Sequence, residues 1–184
     1  LLIADAIKED AIESIAAMKN LGIKNIIMLT GDSKKVGEAV AKKLGITEVY
    51  SELLPQDKVV KFEEILSRKE KNEKVAFVGD GINDTPVLAR SDICIAMCGL
   101  GSDAAIEAAD VVIMDDKISK IATAMQVAKD TRRIVWQNIF FALGVKGLFL
   151  IMGAFGVATM WEAVFADVGV TVIAVLNAMR ILKK

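Results

Sequence analysis

Residues 79–84, Gly-Asp-Gly-Ile-Asn-Asp, carry the densest group of side chains that could do chemistry. Asp80, Asn83 and Asp84 stand together there with two glycines. Carboxylate oxygens suit Mg²⁺, and glycine lets the backbone come close to a bound phosphate. The segment therefore predicts a Mg²⁺-dependent phosphate site with Asp80 and Asp84 as metal ligands. An ordinary turn, which also favours Asp, Asn and Gly, is the alternative.

A buried strand must position this segment. Residues 75–78, Val-Ala-Phe-Val, form a β-branched and aromatic run that is typical of a parallel strand covered on both faces. Ligands of open α/β sheets bind beyond the carboxyl ends of the strands. The polar segment follows this strand at once, so it is predicted to lie at the ligand-binding edge.

Two further polar groups follow other elements. Thr30, Gly31 and Asp32 end a buried strand over residues 25–29, and Lys58 lies at the start of a helix that Pro55 opens. A hydroxyl, a backbone N–H, a lysine and a metal-binding carboxylate meet the needs of a transferring phosphoryl group, whose charge must be neutralised and whose geometry must be fixed. The three groups together predict phosphoryl-transfer chemistry.

The remaining pattern is a regular alternation of strands and helices. Strands are predicted over residues 2–4, 25–29, 48–50, 75–78, 93–97 and 111–114, and helices over 8–21, 34–44, 55–68, 86–90, 103–109 and from 119 onward. Such alternation predicts an α/β fold, with a parallel sheet and helices on both of its faces.

The last third of the chain has a different character. From Ile134 to Leu182 only four residues are charged. Because one membrane helix needs about 20 residues, this stretch predicts two transmembrane helices with a turn near residues 156–159. The predicted boundaries are 1–118 for the α/β domain, 119–133 for a helical linker and 134–182 for the membrane helices. A buried helical hairpin of a soluble protein is the alternative.

Basic residues flank both ends of this stretch, and the tip of the hairpin has none. The flanking residues are Lys129, Arg132, Arg133, Arg180, Lys183 and Lys184. By the positive-inside rule, the α/β domain and the C-terminus are both predicted to be cytoplasmic.

Two of the charges lie deep in the predicted spans. Lys146 is 12 residues past Ile134, about 18 Å along the helix, and Asp167 is 15 residues before Leu182, about 22 Å from the same side. Their depths are similar, so an ion pair across the hairpin is possible, although snorkelling to an interface is the alternative. Because a charge at this depth in a membrane is energetically costly, its presence predicts a functional role. Asp167 is a hard metal ligand, and Lys146 is its counter-charge when the site is empty.

Composition excludes several other classes of protein. The 184 residues include 23 basic and 24 acidic side chains, with a net charge of -1, so no basic surface for nucleic acid is expected. The chain has no histidine and only Cys94 and Cys98, which argues against a disulfide scaffold or a Cys/His zinc site. It opens within an apolar run without an initiator methionine or a secretory signal, so we expect that it begins inside a longer protein.

Residues 28–32 and 78–88 resemble two signature segments of the P-type ATPases, whose phosphorylation domain belongs to the haloacid dehalogenase superfamily. Residues 105–112 resemble the stretch that follows, and the resemblance covers essentially the whole chain. It implies a partial Rossmann-like parallel sheet followed by a transmembrane helical hairpin. It also implies Mg²⁺ and ATP as cofactors of the full-length protein, with Asp80 binding Mg²⁺ and with Asp84 and Asn83 supporting that site and the phosphate.

The same resemblance implies roles for the earlier polar group. Thr30 and Gly31 would hold phosphoryl oxygens, and Lys58 would pair with their charge. Asp32 belongs to the matched motif without an assigned role. The phosphorylated aspartate of the family lies in Asp-Lys-Thr-Gly-Thr, which this chain lacks, and Asp5 has neither the threonine nor the glycine beside it.

The chain therefore resembles the C-terminal part of a pump whose nucleotide-binding domain, actuator domain and earlier membrane helices are missing, and the fragment alone is expected to be inactive. Thr85, Cys94 and Cys98 stand where the family more often has Ala or Gly, which indicates variation in packing.

Residues 142–147 and 166–169 resemble the branch of heavy-metal pumps that exports Zn²⁺, Cd²⁺ and Pb²⁺. The resemblance implies those ions as partners, together with the lipid bilayer of a plasma or inner membrane and the missing N-terminal part of the same pump. Soft ligands from the Cys-Pro-Cys helix of the family would complete the metal site. Two alternatives stay open: a membrane-anchored phosphohydrolase of the same superfamily, and a non-catalytic module with a vestigial Asp80 site.

Overall fold

The computed structural model describes residues 7–79, 85–88, 90–97, 107, 109–115, 117–156 and 159–183. The chain divides into two compact units, Leu1–Thr123 and Ala124–Lys184. The predicted strand over residues 2–4, the candidate nucleophile Asp5 and the polar residues 80–84 lie outside the described residues, as do Cys98 and most of the predicted helix 103–109.

The described strands of the first unit form two parallel sheets. Strands β1 (Ile27–Leu29) and β2 (Glu48–Tyr50) pair with each other, and β3 (Ala76–Gly79), β4 (Ile93–Met97) and β5 (Val111–Ile113) form the second sheet in that order. Each strand lies within one residue or two of its predicted position. The predicted α/β class with parallel pairing is therefore confirmed.

Among the described residues, helix α1 (Ala11–Asn20) precedes β1, and three helices connect the strands from β1 to β4: α2 (Lys34–Leu44), α3 (Pro55–Arg68) and α4 (Thr85–Leu88). Helix α2 ends at Gly45, whose φ of 67° is a left-handed conformation that glycine adopts easily. Pro55 is the first residue of α3, where its missing N–H is tolerated.

Helix α1 begins three residues later than predicted because Asp10 precedes it in a turn. The Asp10 carbonyl accepts hydrogen bonds from the backbone N–H and the hydroxyl of Ser14. Its carboxylate accepts the N–H of Ser119 at 3.0 Å, and this bond holds the pKa of Asp10 below its ordinary value. Asp10 therefore satisfies backbone donors at the starts of two helices.

The core of the first unit lies along β4, the middle strand of its sheet. Ala96 is completely buried, and its neighbours Cys94 and Ile95 are buried with it. Phe62 of α3 meets Phe77 of β3 edge to face, with ring centroids 5.4 Å apart, which is a favoured geometry for aromatic pairs. Burial also raises the pKa of the Cys94 thiol, which identifies it as an unreactive packing residue.

Asp92, just before β4, joins the beginnings of β3 and β4. Its carboxylate accepts Lys69 Nζ at 2.7 Å, Lys74 Nζ at 3.3 Å and the N–H of Val75 at 2.9 Å. The hydrogen bond from Lys69, followed by that from Val75, holds the pKa of Asp92 well below its usual range.

Replacing Asp92 with asparagine is expected to lower the midpoint of thermal unfolding by a few degrees at neutral pH. Because the folded pKa is depressed, the stabilisation is present above the unfolded pKa of about 3.9 and is lost as pH falls through the folded pKa. The difference from wild type should therefore shrink in acid. Glu38→Gln is the control, because it removes an exposed carboxylate whose Oε1 lies 3.9 Å from Lys34 Nζ. Equal midpoints of thermal unfolding for wild type and Asp92→Asn at neutral pH would contradict the stabilising role of the Asp92 carboxylate.

The second unit is a helical hairpin. Helix α5 (Ser119–Ala154) begins in the first unit and continues without a break, so the predicted linker and the first predicted span are one helix. Helix α6 (Met160–Ala178) is followed by a 3₁₀ turn, Met179–Lys183. Helices within Ser119–Ala154 and Val164–Leu182 are long and apolar enough to cross a membrane, and an 18-residue window in each has a mean hydropathy of 1.7.

Described residues on both sides of the hairpin turn have distinct conformations. Gly156 has a φ of 70°, and Thr159 then begins α6 in a capping box with Glu162. The Glu162 carboxylate accepts the N–H of Thr159 at 2.8 Å, and the Thr159 hydroxyl accepts the N–H of Glu162 at 3.5 Å. Glu162 is therefore a helix-capping residue at the tip.

Candidate functional site

The loop after β1 is held by hydrogen bonds that continue the pairing of β1 with β2. The N–H of Thr30 donates to the carbonyl of Tyr50 at 2.9 Å, and the N–H of Leu53 donates to the carbonyl of Thr30 at 3.1 Å. The N–H of Glu52 donates to the carbonyl of Asp32 at 2.8 Å. These bonds fix the Thr30–Asp32 backbone at the carboxyl ends of the two strands, where α/β folds bind their ligands.

The side chains of Thr30 and Asp32 orient each other. The Thr30 hydroxyl donates to Asp32 Oδ2 at 2.8 Å and accepts the Asp32 N–H at 3.1 Å. In this arrangement the hydroxyl proton points to the carboxylate, so donation to a phosphoryl oxygen requires the hydroxyl to rotate away. Asp32, to which the sequence assigned no role, thus holds the Thr30 hydroxyl in this orientation through a direct hydrogen bond.

Two glycines allow this loop to pack closely. A Cβ on Gly31 would lie 3.3 Å from the carbonyl oxygen of Leu53, which is tighter than most such contacts. A Cβ on Gly37, within α2, would collide with the Ser51 hydroxyl and lie 3.3 Å from the Thr30 methyl group. A larger residue at Gly31 would press on the Leu53 backbone carbonyl, and one at Gly37 would displace the Ser51 hydroxyl.

The start of α3 adjoins the same loop. Asp57 accepts the N–H of Leu54 at 3.1 Å, and the N–H of Lys58 donates to the carbonyl of Leu54 at 3.0 Å. Because the neighbouring Leu53 is hydrogen-bonded to Thr30, the first turn of α3 is tied to the Thr30 loop. The first turn of α3, which carries Lys58, is therefore linked through Leu53 and Leu54 to the loop of Thr30, Gly31 and Asp32, and their shared role remains a prediction.

Strand β3, which leads to the acidic segment, ends one residue later than predicted. The prediction that it is covered on both faces is wrong, because its described residues alternate between exposed and half-buried at the end of the sheet order β3-β4-β5. Gly79, the last residue of β3, pairs with Ala96 of β4. Asp80 follows directly, whereas Asp80, Asn83 and Asp84 themselves lie outside the described residues. The sheet edge and the hard carboxylates that follow it fit a Mg²⁺ ion held against a phosphate.

In the hairpin, Lys146 and Asp167 form an ion pair. Lys146 Nζ lies 2.9 Å from Asp167 Oδ1, so the two side chains face each other across α5 and α6. The described residues contain no group of three or more His, Cys, Asp or Glu side chains that could hold a metal ion. The roles of Lys146 and Asp167 in binding a metal remain predictions.

A second polar contact joins the same helices and was not foreseen. Asn138 donates to the carbonyl of Ala174 at 3.0 Å, and Asn177 donates to Asn138 Oδ1 at 2.9 Å. The signal in the sequence is the presence of carboxamides within the largely apolar stretch 134–182. Polar side chains in such helices commonly hydrogen-bond across helix pairs.

Comparisons with known proteins agree with this geometry. The sequence profile of the haloacid dehalogenase-like hydrolases matches residues 1–92. The chain is 67% identical over 183 residues to the cadmium, zinc and cobalt-transporting ATPase of Bacillus subtilis, and 57% identical over 183 residues to the zinc-transporting ATPase of Synechocystis. Each alignment covers 100% of this chain but only 26% and 25% of the relative, so the chain spans about a quarter of their length.

Solved structures give a consistent result. The crystal structure of a zinc-transporting PIB-type ATPase superposes with a TM-score of 0.84 at 37% sequence identity. The superposition covers 96% of this chain and 28% of that one. The two-part architecture of an α/β unit followed by an apolar hairpin is therefore shared with part of that protein.

Proposed function

The chain belongs to the haloacid dehalogenase-like hydrolase family, and we propose that it is the C-terminal part of an ATP-driven pump that exports divalent heavy-metal ions through an aspartyl-phosphate intermediate. The observation that carries the proposal is the Lys146–Asp167 ion pair within an apolar hairpin. Relatives named as cadmium, zinc or cobalt transporters align with the whole chain, which favours a pump over a membrane-anchored phosphohydrolase.

In this proposal, the first unit binds the phosphorylated aspartate that another part of the pump supplies. Thr30 and Gly31 hold the phosphoryl oxygens, Lys58 pairs with their charge, and Asp80, Asn83 and Asp84 form the Mg²⁺ site. When bound, Mg²⁺ neutralises charge on the transferring phosphoryl group. ATP is the phosphoryl donor of the complete pump and is bound largely outside this chain.

The contact between Asp32 and Thr30 makes a specific prediction for dephosphorylation. In the full-length pump, Asp32→Ala should slow hydrolysis of the phosphoenzyme about tenfold, because the Thr30 hydroxyl loses the carboxylate that fixes its orientation, and one such hydrogen bond contributes about 1.5 kcal/mol. Thr30→Ala should act similarly, and the double variant should be little worse, because both residues act through one hydroxyl. Additive losses in single-turnover dephosphorylation would show that Asp32 acts independently of Thr30.

In the hairpin, Asp167 is proposed as a direct ligand of the transported ion, with Lys146 as its counter-charge in the empty state. Zn²⁺, Cd²⁺ and Co²⁺ appear in the names of the relatives, and Pb²⁺ is proposed from the resemblance of residues 142–147 and 166–169. Cysteine ligands from another helix of the pump would complete the coordination.

We further propose that both hairpin helices lie in the lipid bilayer of a plasma or inner membrane. The basic residues before and after the hairpin favour a cytoplasmic location for the α/β unit and the C-terminus. Protease accessibility of residues 7–79 in sealed vesicles of known orientation would test this topology.

The 184-residue chain by itself should neither become phosphorylated nor hydrolyse ATP. Its sequence has no Asp-Lys-Thr-Gly-Thr segment, and the proposal places the nucleophile elsewhere in the pump. The test is incubation of the purified chain with radiolabelled ATP and Mg²⁺, with the full-length pump as the positive control. Stoichiometric acyl phosphate on the isolated chain would refute this part of the proposal.

A further inference from the structure

We propose that Asn138 and Asn177 are positioning residues, forming an inter-helix clasp that sets the register of α5 against α6 and so holds Lys146 beside Asp167. The consequence for metal transport rests on the function proposed above. The structural claim concerns only the hairpin, and it is tested separately.

The clasp is a directional chain of hydrogen bonds. Asn138 Nδ2 donates to the carbonyl of Ala174 at 3.0 Å, and Asn138 Oδ1 accepts Asn177 Nδ2 at 2.9 Å. Asn177 Oδ1 in turn accepts the guanidinium of Arg180 at 3.1 Å. Both ends of each carboxamide are therefore used. In a lipid environment an unsatisfied carboxamide is unfavourable, so the helices gain by adopting the one alignment in which these groups meet.

The clasp and the ion pair belong to one antiparallel register. From Asn138 to Lys146 α5 advances eight residues, and from Ala174 back to Asp167 α6 advances seven. At 1.5 Å per residue these separations are about 12 Å and about 10 Å. A slip of one helical turn, about 5.4 Å, would break both contacts together. The clasp therefore acts on the charged pair through the alignment of the helices.

The two asparagines lie where such a role is effective. The half-buried or buried positions recur at helical spacing along the facing sides of the helices: Ile134, Asn138, Ala142 and Val145 on α5, and Val170, Ala174 and Asn177 on α6. An apolar seam alone can pack in several registers. A polar asparagine within such a seam is an established means of selecting one register.

The test uses Asn138→Leu and Asn177→Leu, singly and together, in the full-length pump reconstituted in lipid nanodiscs. Leucine is similar in size to asparagine and compatible with lipid, so thermal stability should be retained or raised. The Zn²⁺ concentration that half-activates ATP hydrolysis should rise about tenfold, as when groups that orient the ligands of a metal site are removed. Gln137→Leu is the matched control, because Gln137 Oε1 accepts Asn177 Nδ2 only at 3.5 Å. This variant should change the half-activating Zn²⁺ concentration little.

A cryo-EM structure of the double leucine variant decides the structural claim. We expect the distance from Lys146 Nζ to the Asp167 carboxylate to exceed about 4 Å, beyond ion-pair range. An ion pair that is retained in the double variant would overturn the clasp. This result is independent of the metal site, which Asp167→Ala tests separately by showing whether Asp167 binds metal. In an Asp167→Ala background, which lacks the proposed ligand, Asn138→Leu should add no further shift in Zn²⁺ activation, and an additive shift would also overturn the proposal.

Discussion

Replacing Asp80 with asparagine in the full-length pump is expected to reduce metal-stimulated ATP hydrolysis by about 10³-fold, the scale of loss that follows removal of a main electrostatic stabiliser. Asp80 directly follows Gly79, the last residue of β3, at the carboxyl end of a strand in a parallel sheet. Asparagine keeps the size of the side chain but removes the negative charge that would hold Mg²⁺. Turnover should fall while the fold is preserved.

The measurement is steady-state ATP hydrolysis with saturating Zn²⁺ across a range of Mg²⁺ concentrations. Asp115→Asn is a matched control, because it removes an exposed carboxylate whose nearest cation, Lys120 Nζ, is 3.9 Å away, and exposed pairs of this kind contribute little. Unchanged circular dichroism of Asp80→Asn would confirm that the fold is intact. If Asp80→Asn retained near-normal turnover, Mg²⁺ would have to be held by other residues.

The strands were predictable because their signals are local. Strands β1 and β4 are short apolar runs bounded by polar turns; the middle residues of β4 are buried in the parallel sheet, whereas those of β1 are half-buried. Helix ends were less predictable. The helix was predicted from Lys8, but the N–H of Ala11 closes a turn on the carbonyl of Lys8 and the Asp10 carboxylate accepts the N–H of Ser119, so α1 begins at Ala11. The contact with Ser119 joins distant parts of the chain, which no local pattern reveals.

The same distinction applies to the candidate site. The similar depths of Lys146 and Asp167 follow from helix rise alone, so their contact could be anticipated. The mutual orientation of Thr30 and Asp32 depends on side-chain rotamers and on the bonds that tie their loop to Tyr50 and Glu52. Because residue types do not specify rotamers, the role of Asp32 emerged only from the structure.

Replacing Asp167 with alanine in the full-length pump is expected to lower Zn²⁺ affinity and metal-stimulated ATP hydrolysis by about 100-fold or more, because loss of a direct ligand should exceed the usual effect of losing a group that only orients a ligand. The variant also leaves the Lys146 ammonium without its partner at 2.9 Å, and a cation in that position repels an incoming metal ion. Equilibrium Zn²⁺ binding and ATPase assays on the same preparation measure both effects. Glu162→Ala, which removes the capping carboxylate of the same helix, should leave Zn²⁺ binding unchanged.

Lys146→Ala should fail in a different way. It keeps the carboxylate ligand but removes the cation that compensates Asp167 when no metal is bound, and an uncompensated charge within a membrane is unfavourable. The empty state is then destabilised, so Zn²⁺ binding should persist while release slows and transport falls about tenfold relative to ATP hydrolysis. The comparison requires Zn²⁺ uptake into inside-out vesicles and hydrolysis measured in parallel. Full Zn²⁺ stoichiometry in Asp167→Ala, or identical defects in the two variants, would contradict the assignment of ligand and counter-charge.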